Sequence, residues 1–274
     1  MKDSEKEKFV FQAEDFSPAA IAESGQCFRM KELTSESWSL VAHGRELVIE
    51  KTGDNTYSFG CSGAEFENIW KNYFDLENDY SGYRKICLPD DEYLREAMDF
   101  GSGIRILNQE PFEMLISFII SQRKSVPAIR TSIERLAEGL GERISDGAFA
   151  FPTPERIASA GTEFLSSCGL GYRVEYVRSA SEAVLSGEID LEEISHLPTT
   201  ELIEKLMGLK GVGIKVASCV ALFAYHRLDT VPVDVWMKRV IDIKYGGKLP
   251  EEYERYAGVL QQYMFNYARL KGVM

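Results

Sequence analysis

The stretch Leu209-Lys-Gly-Val-Gly-Ile-Lys215 is followed, nineteen residues after its second lysine, by Asp234 within Val231-Pro-Val-Asp-Val235. Gly211 and Gly213 flank Val212 between two apolar runs of helical character. That is the pattern of a tight hairpin, because glycine permits backbone conformations and close approaches that a side chain would block. The second helix is expected to begin at about Ile214, with its free N–H groups and positive dipole end turned outward toward a phosphate. Lys215 falls in that first turn. Asp234 follows a proline that interrupts the preceding structure, where an aspartate is also a favoured N-cap. An amine, a carboxylate and a phosphate cradle point to chemistry on the sugar or backbone of a nucleic acid.

These groups need a scaffold. Residues 26–60 alternate in strand fashion, with turn signals at Gly44 and at Thr52-Gly-Asp-Asn55, and predict an antiparallel meander. From Ala64 onward helical spacing takes over, with Phe66, Ile69, Trp70, Tyr73 and Phe74 on one stripe. Pro111 suits the first turn of an apolar helix over 112–121. Further helices are expected at 127–140, 154–160, 162–168, 173–186, 199–208, 214–225, 234–245 and 251–270. The fold class is α+β: a small N-terminal antiparallel β/α domain over 1–100, then a larger all-helical domain over 101–274, with the break near Gly101.

With 274 residues the chain can bury a substantial core. The longest apolar run, Val216 to Tyr225, is too short to span a bilayer, and the charged amino terminus has no apolar signal segment. A cytoplasmic, membrane-free location is therefore expected. Cysteines 27, 61, 87, 168 and 219 are scattered, and neither a zinc pattern nor a disulfide framework emerges. No metal and no cofactor are expected. His43, His196 and His226 form no triad. A net charge of −12 weighs against nucleic-acid binding, but eight lysines and arginines against three aspartates fall between 205 and 248, so one basic face can coexist with an acidic exterior.

Hairpin, lysine and aspartate together resemble the helix-hairpin-helix superfamily of DNA glycosylases and, more closely, the 8-oxoguanine DNA glycosylase/lyase family. The resemblance is carried by Ser24-Gly-Gln-Cys-Phe-Arg29, Gln109-Glu-Pro-Phe-Glu113, Leu170-Gly-Tyr-Arg173, the hairpin, the Asp234 segment and Gln261…Phe265, spread over about residues 20 to 268. The missing four-cysteine cluster argues against the iron–sulfur branch.

The resemblance implies a groove between helical lobes and a role for each matching residue. Lys215 would attack C1′ of the deoxyribose as a neutral amine, its charged form disfavoured by the helix N-terminus and by partial burial. Asp234 would stabilise the positive charge developing on the sugar. Cys219, one helical turn from Lys215, and Phe265 would form opposite walls of a base pocket, with Gln261 reading the Watson–Crick edge. Gly25 would offer its carbonyl to the N7–H that only the oxidised base carries. Tyr172 would wedge into the duplex and Arg173 would contact the base left behind. Lys210, Gly211, Gly213, Trp236, Lys238 and Arg123 would touch DNA. The partner implied is duplex DNA containing 8-oxoguanine, met by a monomer.

The chain also departs from the family. Lys210 replaces a proline, and Trp236 replaces a common histidine. Arg123-Lys-Ser125 stands where eukaryotic-type members carry asparagines, and Ala128 stands where they carry an arginine. Only Arg173 matches among the residues that read the opposite cytosine, so a flattened opposite-base preference is expected. Two other readings share these features, a water-using alkyl-base glycosylase and a non-catalytic helix-hairpin-helix DNA-binding protein. Lys215 argues against the first, and Asp234 with Gln261 and Phe265 against the second.

Overall fold

The computed structural model describes residues 7–273. Strands β1 (Phe9–Gln12), β2 (Met30–Thr34), β3 (Ser37–Ala42), β4 (Arg45–Gly53) and β5 (Thr56–Phe59) form one antiparallel sheet in the order β1-β5-β4-β3-β2. Its β3–β4 turn uses His43 and Gly44, both at positive φ, as two-residue hairpins require. Trp38, Leu40, Leu47, Ile49, Tyr57 and Phe59 alternate onto the buried face and meet Phe66, Trp70 and Phe74. The expected stripe from Phe66 to Phe74 is therefore real, although Phe66–Trp70 winds as a π-helical turn. Strand β1 escaped the sequence reading: its four residues carry no turn signal, and only pairing with β5 makes it a strand.

Helix α1 (Pro18–Glu23), capped by Ser17, leads into the Ser24-Gly25-Gln26 turn. The helical part comprises α2 (Glu92–Phe100), α3 (Pro111–Ser121), α4 (Val126–Leu140), α5 (Val174–Ser186), α6 (Thr199–Met207), α7 (Ile214–Tyr225), α8 (Val235–Lys244) and α9 (Ala257–Lys271), with shorter turns at Pro154–Ala158 and Thr162–Ser167. The span expected as a helix from 251 opens with a 3-10 segment, Glu251–Tyr256, before α9. A small hairpin, Arg143–Ser145 with Ala148–Phe149, also went unforeseen.

Two hydrophobic cores divide the molecule, one beneath the sheet and one among the helices. The division does not coincide with the expected break at Gly101. Tyr93, Leu94, Ala97 and Met98 of α2 belong to the helical core, because the apolar face of α2 lies on α9, where the Tyr93 and Tyr267 rings sit 5.5 Å apart. Helices α3 and α7 form the centre of that core and are buried over Glu113–Ile120 and Val216–Phe223. Glu113 is a carboxyl sealed within it, and its Oε2 has no partner among the described residues. Burial pushes its pKa up to about 8, with the Arg29 guanidinium opposing.

Arg105 stitches the two parts together, donating to the carbonyls of Glu14, Asp15, Asp75 and Asn78 at 2.6–3.1 Å. Among the described residues no helix is long and apolar enough to cross a membrane, and no group of three His, Cys, Asp or Glu could hold a metal.

Candidate active site

The hairpin between α6 and α7 turns at Gly211, whose φ is +81°. A Cβ there would stand 2.3 Å from the Tyr176 ring, so only glycine lets the hairpin lie on α5. Gly213 caps α7 in extended conformation without any side-chain hydrogen bond, so no protein side chain occupies the cap position. Gly213 and Ile214 stand exposed at this end, Ile214 at 60%. The first-turn N–H groups and the dipole of α7 thus meet the surface where an anion can approach.

One residue further, Lys215 points inward. Its Nζ lies 5.3 Å from the centroid of the Phe118 ring, an aromatic face that suits an ammonium. Cys219 follows one turn later, buried, its thiol pushed up by that burial, with Lys215 opposing the shift and Asp234 adding to it. An apolar, protonated Cys219 makes a wall rather than a nucleophile. Asp234 caps α8: its Oδ1 accepts from the N–H groups of Trp236 and Met237, each at 2.9 Å. The same carboxylate lines a cavity of about 50 Å³ together with Lys215, Cys219, Phe118, Phe223 and Pro232.

Gly25, Gln261, Gln262 and Phe265 complete that cavity. Gly25 has φ +78°, and a Cβ would approach the Phe265 ring to 3.1 Å. The carbonyls on either side of Gly25 are held. That of Ser24 accepts from Gln262 Nε2 at 2.6 Å, and that of Gln26 accepts from Gln109 Nε2 at 2.9 Å. Among the described residues nothing bonds the Gly25 carbonyl itself. Gln261 is buried with Oε1 unpartnered, a polar atom that awaits a donor. A 50 Å³ space is smaller than the ~150 Å³ cavity that holds benzene. The cavity opens onto a groove of about 420 Å³ bounded by Ser121, Arg123, Val126 and Trp236. Size alone does not mark the site, since a cleft of about 490 Å³ lined by Asp229, Val231, Ile241 and Pro250 holds neither Lys215 nor Asp234.

The expected DNA contacts separate into two kinds. Arg123 is exposed, with φ +54°, and Tyr172 is 53% exposed. Trp236 borders the groove, with the Arg239 guanidinium 5.5 Å from its ring. Lys210 and Lys238 are exposed but paired, with Glu175 at 3.0 Å and Asp242 at 2.9 Å. Arg173 is only 6% exposed, donates to the carbonyls of Gln122 and Leu170, and lies 4.3 Å from the centroid of the Tyr172 ring. Those carbonyls hold the guanidinium inside, so it does not face the groove.

Residues 8–115 match the family described as 8-oxoguanine DNA glycosylase, N-terminal domain, and residues 116–260 match the HhH-GPD superfamily of base excision DNA repair proteins. The chain belongs to that 8-oxoguanine DNA glycosylase family. A probable N-glycosylase/DNA lyase from Methanothermobacter thermautotrophicus is 30% identical over 243 residues, covering 77% of this chain and 76% of that one. MBOgg1, solved with a low-affinity DNA ligand, superposes with a TM-score of 0.90 at 37% identity, covering 97% of this chain and 96% of that one. The Clostridium acetobutylicum 8-oxoguanine glycosylase/lyase, solved with DNA bearing cytosine opposite 8-oxoguanine, gives a TM-score of 0.88 at 31% identity, covering 97% and 99%. The chain is thus a bifunctional glycosylase and AP lyase by family, with the expected sheet-plus-helix architecture.

For this glycosylase, the structure brings Lys215, Asp234, Cys219, Gly25, Gln261 and Phe265 to one cavity. It also places residues to which sequence alone assigns no role, Phe118, Gln262 and the motif residue Gln109. Phe118 sits in the mostly apolar run Met114–Ile120, where nothing distinguishes a pocket wall from a core residue. Gln262 and Gln109 act through backbone carbonyls distant in sequence, an effect invisible to spacing. The doublet Gln261-Gln262 inside an otherwise apolar helix was the available signal, because buried amides need partners.

Proposed function

We propose that this enzyme excises 8-oxoguanine from duplex DNA through a Schiff base on Lys215 and then cuts the strand by β-elimination. One observation carries the reading: an amine and a carboxylate from two helix starts share a cavity with a free backbone carbonyl and an unpartnered buried amide oxygen. The neutral amine of Lys215 attacks C1′ as the bond from C1′ to the base breaks and its electron pair leaves with the base, which then takes up a proton. The attached amine gives up one proton, the ring oxygen O4′ takes one up as the C1′–O4′ bond breaks, and a protonated imine remains. Removal of a C2′ proton converts the imine to an enamine, whose electrons form the C2′–C3′ double bond as the C3′–O bond breaks and the 3′-phosphate leaves, giving a conjugated imine. The Asp234 carboxylate, already fixed by its cap, opposes the positive charge that builds on the sugar as the base departs. Cys219 and Phe265 would sandwich the base, Gln261 would meet its Watson–Crick edge, and the Gly25 carbonyl would accept from N7–H. Guanine, with a lone pair at N7, would face that oxygen unfavourably.

The reading places the enzyme in the cytoplasm as a monomer on DNA. Borohydride trapping on an 8-oxoguanine duplex tests it. A covalent adduct that disappears in Lys215→Gln is expected, whereas a wild-type enzyme that excises the base without any trapped adduct would refute the Schiff-base route.

A further inference from the structure

The loop joining α3 to α4 and the turn Gly169–Arg173 are tied together from both sides, by Lys124 and by Arg173. Lys124, half-buried, donates from Nζ to the Ser132 hydroxyl on α4 and to the Gly169 carbonyl, the latter at 2.8 Å. Gly169 stands at φ +79° and Gly171 at +56°, so the turn carrying Tyr172 is sharply bent. A Cβ on Gly169 would come within 3.3 Å of Ser132 Oγ, which shows how closely the turn sits on this pair. Return bonds run the other way, from Arg173 to the Gln122 carbonyl and from Gln122 Nε2 to the Gly211 carbonyl of the hairpin at 3.1 Å.

The charge pattern here is unusual. Among the described residues, Lys124 and Arg173 donate only to carbonyls and a hydroxyl, and Arg135 reaches only the Ser167 carbonyl. Lys210 and Lys238, by contrast, carry carboxylate partners. Burial, then Arg173 and Arg135, lower the pKa of the Lys124 ammonium. A neutral donor could hold the Gly169 carbonyl without that penalty. The lysine gains when polyanionic DNA closes over the turn and supplies the missing negative charge.

We propose that Lys124 is a positioning residue for duplex opening, clamping the Gly169–Arg173 turn to α4 so that Tyr172 stands out as the wedge. This rests on the glycosylase reading above and adds a residue to it. The clamp matters only where base pairs must be parted. The test compares single-turnover excision of 8-oxoguanine from a continuous duplex and from the same strand with a one-nucleotide gap opposite the lesion. Lys124→Met should slow the duplex reaction by about tenfold or more, as small misplacements can, and the gapped reaction by no more than about threefold. Lys124→Arg, which still donates to the carbonyl, should restore most of the loss. Ser132→Ala should shift the duplex-to-gap ratio in the same direction by less, and it decides the matter should Lys124→Met fail to fold. Equal losses on both substrates, or none on the duplex, would overturn the clamp. A wild-type enzyme inactive on both substrates would instead refute the glycosylase reading.

Discussion

The two halves of the cavity are held by different means. Lys215 and Asp234 are placed by structure a few residues long, a glycine hairpin in one case and an N-cap in the other. Gly25 and the residues opposite it are placed by bonds between distant parts of the chain, 238 positions for Gln262 to Ser24 and 83 for Gln109 to Gln26. On the proposed reading, the chemistry is local and the recognition is tertiary. The two should therefore fail separately when the molecule is perturbed.

The sharpest separation comes from Lys215→Gln. It should abolish excision and trapping while leaving binding to lesion DNA nearly unchanged, measured by single-turnover kinetics beside a fluorescence titration. A comparable loss of binding would mean that the two halves are not independent.

Asp234→Asn should come next. Asparagine still caps a helix, so thermal stability should hold while excision slows by about a hundredfold through loss of charge. Asp234→Ala should add about 1 kcal/mol of destabilisation from the lost cap. If Asn and Ala behave alike in both assays, cap and charge are not separable here.

Under the recognition half lies Glu113, and its buried carboxyl gives a pH signature. Its pKa in the folded chain, about 8, lies above its ordinary 4.5, so the folded state binds the extra proton between those values. Its contribution to stability is fully present below the unfolded value and is lost as pH rises through about 8. Glu113→Gln should remove that part of the slope and stabilise the protein at alkaline pH, as read from denaturant midpoints across the range. Parallel curves for the two proteins would contradict it.

The mildest effect is expected from Gln262→Met, which frees the Ser24 carbonyl. Excision of 8-oxoguanine should change little, while its preference over guanine falls by about tenfold, in keeping with ~1–3 kcal/mol for a polar group left unpaired. Competition between lesion and normal duplexes measures it directly, and an unchanged ratio would show that the Gly25 turn needs no such brace.

The same division explains what could be read from the chain alone. Gly211, Gly213, Lys215 and Asp234 announce themselves because hairpins and caps have short-range residue rules. The meander and most helices follow for the same reason. Strand β1 did not, since its conformation comes from pairing with β5. The retraction of Arg173 was equally hidden, because it depends on the Gln122 carbonyl 51 positions away. Phe118 needed knowledge of which side of α3 faces α7. That α2 joins the helical core was not legible, because an amphipathic helix shows that it has an apolar face without naming the surface it will cover.

The two braces beside Gly25 imply an order of failure on warming. Gln109 and Gln262 grip that turn from two distant parts of the chain, so any loosening of the assembled body releases both together, while the α8 cap rests on nearest neighbours and the turn of the hairpin on its own glycines. Accuracy should thus melt before activity. A heat-stressed enzyme of this design would still cut, but with less regard for whether the base had been damaged.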